Sequence, residues 1–207
     1  NSIRYTYDAG SFWAGVSVDE LEGTNSGFVT AVGPVDPVTG FFPGTQEADN
    51  NVGITGGVGA KFGAATLQLI GSYDVDQDEG AVRLIATADV GPGTLGLAGV
   101  WASGANAYYA ESEWAVAAEY AIKATEKLTI TPGAQYFGNV SDEVTIIDAN
   151  GDEFEGFLTN DFSNRDKWTA GVTVDYKITE GLAAKVAVNY VDEDERDDQV
   201  SGLVRLQ

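Results

Sequence analysis

Residues 113–123 read EWAVAAEYAIK, and this stretch decides the fold. Every second position, Trp114, Val116, Ala118, Tyr120 and Ile122, is apolar, while Glu113, Glu119 and Lys123 stand between them. A β-strand sends successive side chains to opposite faces. The stretch therefore predicts a strand with one uniformly apolar face and one polar face.

The same split recurs in segments 3–7, 12–18, 52–62, 67–75, 82–90, 95–101, 128–136, 168–178, 182–190 and 200–206. None of the eleven apolar sets contains a charge, an amide or a Ser or Thr hydroxyl. A lysine or arginine facing lipid near the bilayer midplane costs about 2–4 kcal/mol, so that uniformity is the mark of strands dissolved in hydrocarbon. Aromatics gather at the ends of the stripes. Tyr73, Trp101, Trp114, Tyr136, Trp168 and Tyr190 fall at one end, and Tyr7, Phe12, Phe62, Tyr120 and Tyr176 at the other. Two such belts are expected where ring and polar edge straddle the two membrane interfaces. Pro132 lies within the eighth apolar stripe. It cannot donate to a ladder, and it predicts a bulge that would move Ala134 and Tyr136 off parity.

Connections alternate in length. Short ones cover 8–10, 63–65, 91–93, 124–127 and 179–181; longer ones cover 19–50, 76–79, 102–111, 138–166 and 192–198, with 76–79 the least distinct. Short turns at one rim and long loops at the other are the outer-membrane pattern. The predicted fold is all-β, a transmembrane antiparallel up-and-down β-barrel, with residues 1–207 as a single domain.

Composition narrows the function. Among 207 residues there is no Cys or His, which removes thiolate chemistry, disulfides and the commonest general base. Net charge is −21, opposite to that of a nucleic-acid binder. No apolar run reaches the roughly 18 residues of a membrane helix. Mean hydropathy is only −0.10, as expected when half of each strand faces water. The acids cluster between the stripes, as solvated loops do. Two clusters partly match a calcium loop: Asp74, Asp76 and Asp78, and a second at 148–152. The first has its glycine one position late and no bidentate glutamate, so any Ca²⁺ would be loosely held at the outer loops. Glu113 and Glu119 share a face but stand about 20 Å apart, too far for a paired-carboxylate glycosidase site.

By parity the polar face carries Arg4, Arg83, Lys185 and Arg205 within strands, Lys61, Lys123 and Lys177 near the short turns, and the acids Asp89, Glu113, Glu119 and Asp175. Rings and rows of such charge bias the passage of ions through a wet lumen.

The stretch 73–140, YDVDQDEGAVRLIATADVGPGTLGLAGVWASGANAYYAESEWAVAAEYAIKATEKLTITPGAQYFGNV, resembles the general porins of alphaproteobacterial outer membranes. So do the strand at 167–177 and the final VSGLVRLQ, and the likeness runs from about Ser2 to Gln207. The resemblance implies a sixteen-stranded homotrimeric barrel set among outer-membrane lipid and lipopolysaccharide. It implies passive diffusion of small polar solutes and ions, and a constriction loop after the fifth strand. It also implies that Arg4, Arg83, Lys185 and Arg205 are wall cations facing that loop. Eleven strands without the closing aromatic of such barrels fit a chain lacking about five N-terminal strands and a few C-terminal residues. The competing reading is a soluble acidic β-sandwich, an adhesin or surface-layer module binding Ca²⁺, with its apolar stripes buried between two sheets. An enzymatic barrel would need a His-containing constellation that the sequence lacks.

Overall fold

The computed structural model describes residues 1–21, 52–147 and 153–206, with side chains described for all of these except 142–160. The partial calcium match at 148–152 and most of the long connection after residue 19 lie outside the described residues. The strands are β1 (Ser2–Asp8), β2 (Phe12–Glu20), β3 (Val52–Phe62), β4 (Ala65–Asp74), β5 (Glu79–Val90), β6 (Gly93–Ala102), β7 (Ser112–Lys123), β8 (Leu128–Ile147), β9 (Glu153–Phe162), β10 (Lys167–Thr179), β11 (Leu182–Glu193) and β12 (Gln199–Leu206). All pairings are antiparallel, in the order β1-β2-β3-β4-β5-β6-β7-β8-β10-β11-β12. The sheet is open, with β1 and β12 at its two edges.

The twelfth strand corrects the eleven-strand reading. β8 runs on past Tyr136 to Ile147, and β9 pairs with that extension alone, inside what reads as the 138–166 loop. This hairpin stands beyond the apolar band, so it has no lipid face to keep uniform. The period-two signal that reveals the other strands fades there.

Register carries the two-faced pattern across the whole sheet. Ile3 faces Val18, Val18 faces Ile54, and Ile54 faces Tyr73. Farther along, Val82 faces Trp101, Trp101 faces Trp114, and Val116 faces Tyr136. Ala134 then faces Ala170, Val172 faces Val188, and Val188 faces Gly202. A slip of one residue in any ladder would send its charges to the apolar side. The apolar face is bare: Val116 is 51 % exposed, Leu84 46 % and Val186 41 %. A sandwich would bury these side chains, so the soluble alternative is overturned. Among the described residues the buried apolar groups are few and mostly small, such as Ala81, Ala102, Ala105 and Ala115.

The bulge expected at Pro132 is absent. β7 and β8 keep one register from Ser112↔Val140 to Lys123↔Thr129, and Pro132 pairs with Val172 on its other side. The β7–β8 ladder simply omits Tyr120 and Ala121, opposite Pro132 and Thr131. Losing a donor interrupts the ladder without inserting a residue, so Ala134 and Tyr136 keep their parity. A register shift does occur between Lys177 and Thr179, beside the β10–β11 turn.

The short turns follow from glycine. Gly63 (φ +62°) and Gly91 (φ +56°) each open a two-residue hairpin, with Ala64 and Pro92 second. Positive φ at the first central position alone is the type II′ arrangement, which matches strand twist and favours glycine there.

Candidate functional site

The candidate site is the polar face. A groove of about 440 Å³ crosses it from β5 to β11. Small residues form its floor, among them Gly96, Ala98, Ala117, Gly133 and Gly171. Six strands line one groove, so this face is the concave one. Glu119 lies over Gly96 and Gly133, and Asn189 lies over Gly171, each occupying space that a Cβ would fill.

Parity places all four candidate cations on this face, but register brings only two of them together. Lys185 faces Arg205 on β12 and Asp175 on β10, and it is paired with Asp175 at 3.3 Å. Both members of that pair are about one-third exposed, so the bond is worth at most about 1 kcal/mol. Arg4 faces Ser17 near one edge of the sheet, while Arg83 sits between Ile70 and Val100 on β5. Four strand spacings separate these two arginines, about 19 Å. Glu113 accepts a hydrogen bond from the Asn139 amide at the long-loop rim. Near the short turns Asp89 accepts one from Thr94 at 2.8 Å.

The connection between β6 and β7, residues 103–111, folds back over the polar face. Its Tyr108 hydroxyl donates to Asp19 Oδ2 at 2.8 Å, far along the sheet on β2. The phenol occupies the space above Gly53, where any Cβ would collide with it. The Ala107 N–H donates to Asp74 Oδ2 at 3.1 Å; Asp74 is buried, as are Ala105 and Asn106 of the loop itself. Burial first, then the hydrogen bond and charge of Asp19, push the Tyr108 phenol up to about 12. Burial also raises Tyr109, against the opposing charge of Arg83 nearby.

The sign for Tyr108 is that of a raised group. Its folded-state bonus is complete below the ordinary value of 10 and is lost as pH rises towards about 12. The loop should therefore stay pinned at all pH values below about 10. The difference in phenolate absorbance between wild type and Tyr108→Phe should have its midpoint near 12. A midpoint at the ordinary value would mean that the hydroxyl is not held.

Of the acids Asp74, Asp76 and Asp78, the first and last are engaged within the fold. Asp74 accepts from Ala107 and from the Gln77 N–H (3.3 Å), and Asp78 accepts from the Tyr73 hydroxyl. Among the described residues no three acidic groups are gathered to hold a metal ion.

At the long-loop rim the aromatics form a row. Trp101 faces Trp114, Trp114 packs on Tyr136 (centroids 5.4 Å apart), and Trp168 packs on Tyr190 (5.1 Å). Their polar tips reach carboxylates at the rim: Tyr136 to Asp166 (2.6 Å), Trp168 to Asp192 near the end of β11 (2.9 Å) and Tyr190 to Asp198 (2.7 Å). The bonds from Tyr136 and from the Asn139 N–H hold the Asp166 carboxyl below its ordinary value. At the opposite rim the Tyr120 hydroxyl donates to the Val90 carbonyl at 2.6 Å.

The family model described as the Porin subfamily matches residues 1–204. The chain belongs to that family. It is 45 % identical over 208 residues to outer membrane protein IIIA of Rhizobium leguminosarum bv. viciae, covering 98 % of this chain and 50 % of that protein. It is 41 % identical over 210 residues to the putative outer membrane protein y4fJ of Sinorhizobium fredii (strain NBRC 101917 / NGR234), covering 100 % of this chain and 50 % of that one. The porin chain thus spans about half the length of the curated relatives it matches. Its backbone superposes on a loop L8 deletion mutant of OmpT, an outer membrane protein of Vibrio cholerae, with a TM-score of 0.60. That likeness covers 98 % of this chain and 61 % of the other at 13 % identity, and it speaks for the fold. The porin chain is accordingly an outer-membrane strand sheet whose apolar face meets lipid.

Sequence reasoning missed two features of this porin face. The fold-back of 103–111 reads as an outer loop, although Gly53 marks where its Tyr108 seats. Trp13 was missed as well. It alternates with Phe12 and Ala14 and lies on the polar face, along the glycines of β3.

Proposed function

We propose that this chain is part of the wall of a water-filled outer-membrane channel through which small hydrophilic solutes and ions diffuse. The observation that carries the reading is the register, which keeps parity across eleven paired strands, apart from the shift beside the β10–β11 turn, and gives them a single exposed apolar face and a single polar concave face. Membership of the porin family favours a conduit over a catalyst. In the longer protein, further strands pair with the edges of β1 and β12, because an open edge leaves backbone groups unsatisfied in lipid. Arg4, Arg83, Lys185 and Arg205 line the lumen with Glu113, Glu119 and Asp175, and the aromatic rows sit at the two interfaces. We further propose a homotrimer within lipid and lipopolysaccharide. The dent where Gly56 faces Gly71 on the apolar side offers a close approach for a neighbouring subunit.

The test is the protein at its natural length in a planar bilayer, where it should give stepwise conductance. Arg83→Glu reverses an exposed lumenal charge. It should move the reversal potential in a salt gradient towards cation preference, roughly doubling the cation-to-anion permeability ratio. A variant indistinguishable from wild type would place Arg83 outside the ion path. A protein that leaves membranes without detergent and gives no conductance would refute the channel.

A further inference from the structure

We propose that the polar face of β1–β4 holds a binding shelf for a pyranose sugar, with Trp13 as its platform. The proposal rests on the channel reading, since it needs that face to be wet and open to solutes.

Trp13 is the tryptophan that departs from the rim pattern, lying on the polar side of β2. Its indole runs along β3. A Cβ at Gly57 would meet ring atoms Cη2 and Cζ3 at 3.0 and 3.2 Å, and a Cβ at Gly59 would collide with the pyrrole edge. Two glycines in alternate positions therefore make room for the ring along β3. Trp13 as a whole is only half-buried, which leaves part of the indole open on the polar face.

Beside that face is a groove of about 280 Å³, lined by Arg4, Thr6, Ser17, Thr55 and Ile70 as well as by Trp13. Asp19 lies within hydrogen-bond distance of the Ser17 and Thr55 hydroxyls, both at 3.2 Å, and Thr55 also reaches Ser72 at 3.3 Å, so these groups form a bonded polar floor while Arg4 and Thr6 are the exposed ones. Arg4 supplies several donors, and Thr6 can both give and accept.

This set matches the two chemistries of a pyranose. The axial C–H bonds make one side of the sugar ring apolar and weakly positive, which suits the negative face of an aromatic. Equatorial hydroxyls project around the ring edge and need alternating donors and acceptors, as the groove wall provides. A linear polyol carries the same hydroxyls but has no rigid face to stack.

The experiment uses the natural-length protein in a planar bilayer, with maltotriose, sorbitol and adenosine as probes. Maltotriose should reduce conductance saturably, and sorbitol at equal concentration should not. Trp13→Ala should still insert and conduct, with an open-channel conductance no lower than wild type, and should raise the half-blocking maltotriose concentration about tenfold, as the loss of a stacked aromatic in a small pocket predicts. Should Trp13→Ala fail to insert, Thr6→Val removes a hydroxyl at constant volume and should weaken the block about threefold. Conductance without saturable block by maltotriose would overturn the shelf and leave the channel standing. So would a block insensitive to these substitutions, or one by adenosine and not by the sugar. No conductance at all would overturn both.

Discussion

Val116→Arg should abolish recovery of folded protein from the outer membrane, while Ala117→Arg, one residue on, should be tolerated. Val116 lies on the apolar face midway between the Trp114 and Tyr120 rows, facing Gly99 and Tyr136, and is 51 % exposed. An arginine there meets hydrocarbon near the midplane and costs about 2–4 kcal/mol. Two residues, about 7 Å, separate it from the Trp114 row and four from the Tyr120 row, so snorkelling towards the nearer interface recovers only part of that cost. Against a typical margin of about 5–15 kcal/mol, that loss also falls on insertion, where competing soluble states win. Ala117 points into the polar groove, where a guanidinium is hydrated. Its cost is lumen area, so Ala117→Arg should insert and conduct less. The measurement is the fraction of each variant that shows heat-modifiable gel mobility after extraction. The reverse ranking would invert the sidedness of every strand.

Gly53→Val should raise single-channel conductance and expose residues 103–111 to protease. The Tyr108 phenol sits where the new side chain must go. The ring must leave, giving up the Tyr108–Asp19 bond, and the Ala107–Asp74 bond is then left to hold the middle of the loop down. Asp74 is fully buried under the loop. Once uncovered it hydrates, so the lifted state is not held back by an unsatisfied carboxylate. Overpacking at such a site costs about 1–3 kcal/mol, enough to shift a loop without unfolding a sheet of this size. Tyr108→Phe should give the same effect more weakly, because the ring still covers Gly53. Unchanged conductance and protection in Gly53→Val would show that 103–111 does not narrow the path.

The faces of this protein were legible in its sequence because lipid tolerates no exceptions. One charge among Val82, Leu84, Ala86 and Ala88 would have spoiled the stripe, and there is none. Parity needs only local information, so it assigned Arg83 and Lys185 to the polar side. Which cations become neighbours depends on stagger, and stagger is fixed strand by strand. Hence Lys185 and Arg205 meet while Arg4 and Arg83 stand apart. The fold-back of 103–111 was hidden for a related reason. Asp74 and Asp19 read as solvated acids until the loop that uses them, 33 and 89 residues away, is in place. Trp13 was hidden by its neighbour: beside Phe12 it blurs the alternation, and only the glycines at 57 and 59 explain how an indole fits there. Pro132 misled because a missing donor can be absorbed by a gap in the ladder as well as by an extra residue.

The bare floor under Glu119 and Asn189 lets this face of the sheet be both polar and open. Glu119 reclines across Gly96 and Gly133, and Asn189 across Gly171, so their hydrogen-bonding ends decorate the wall instead of projecting into the stream. A methyl group at Gly96 or Gly171 would press on the Glu119 or Asn189 side chain and lift it away from the wall. In the proposed channel, missing side chains would set the aperture at this height.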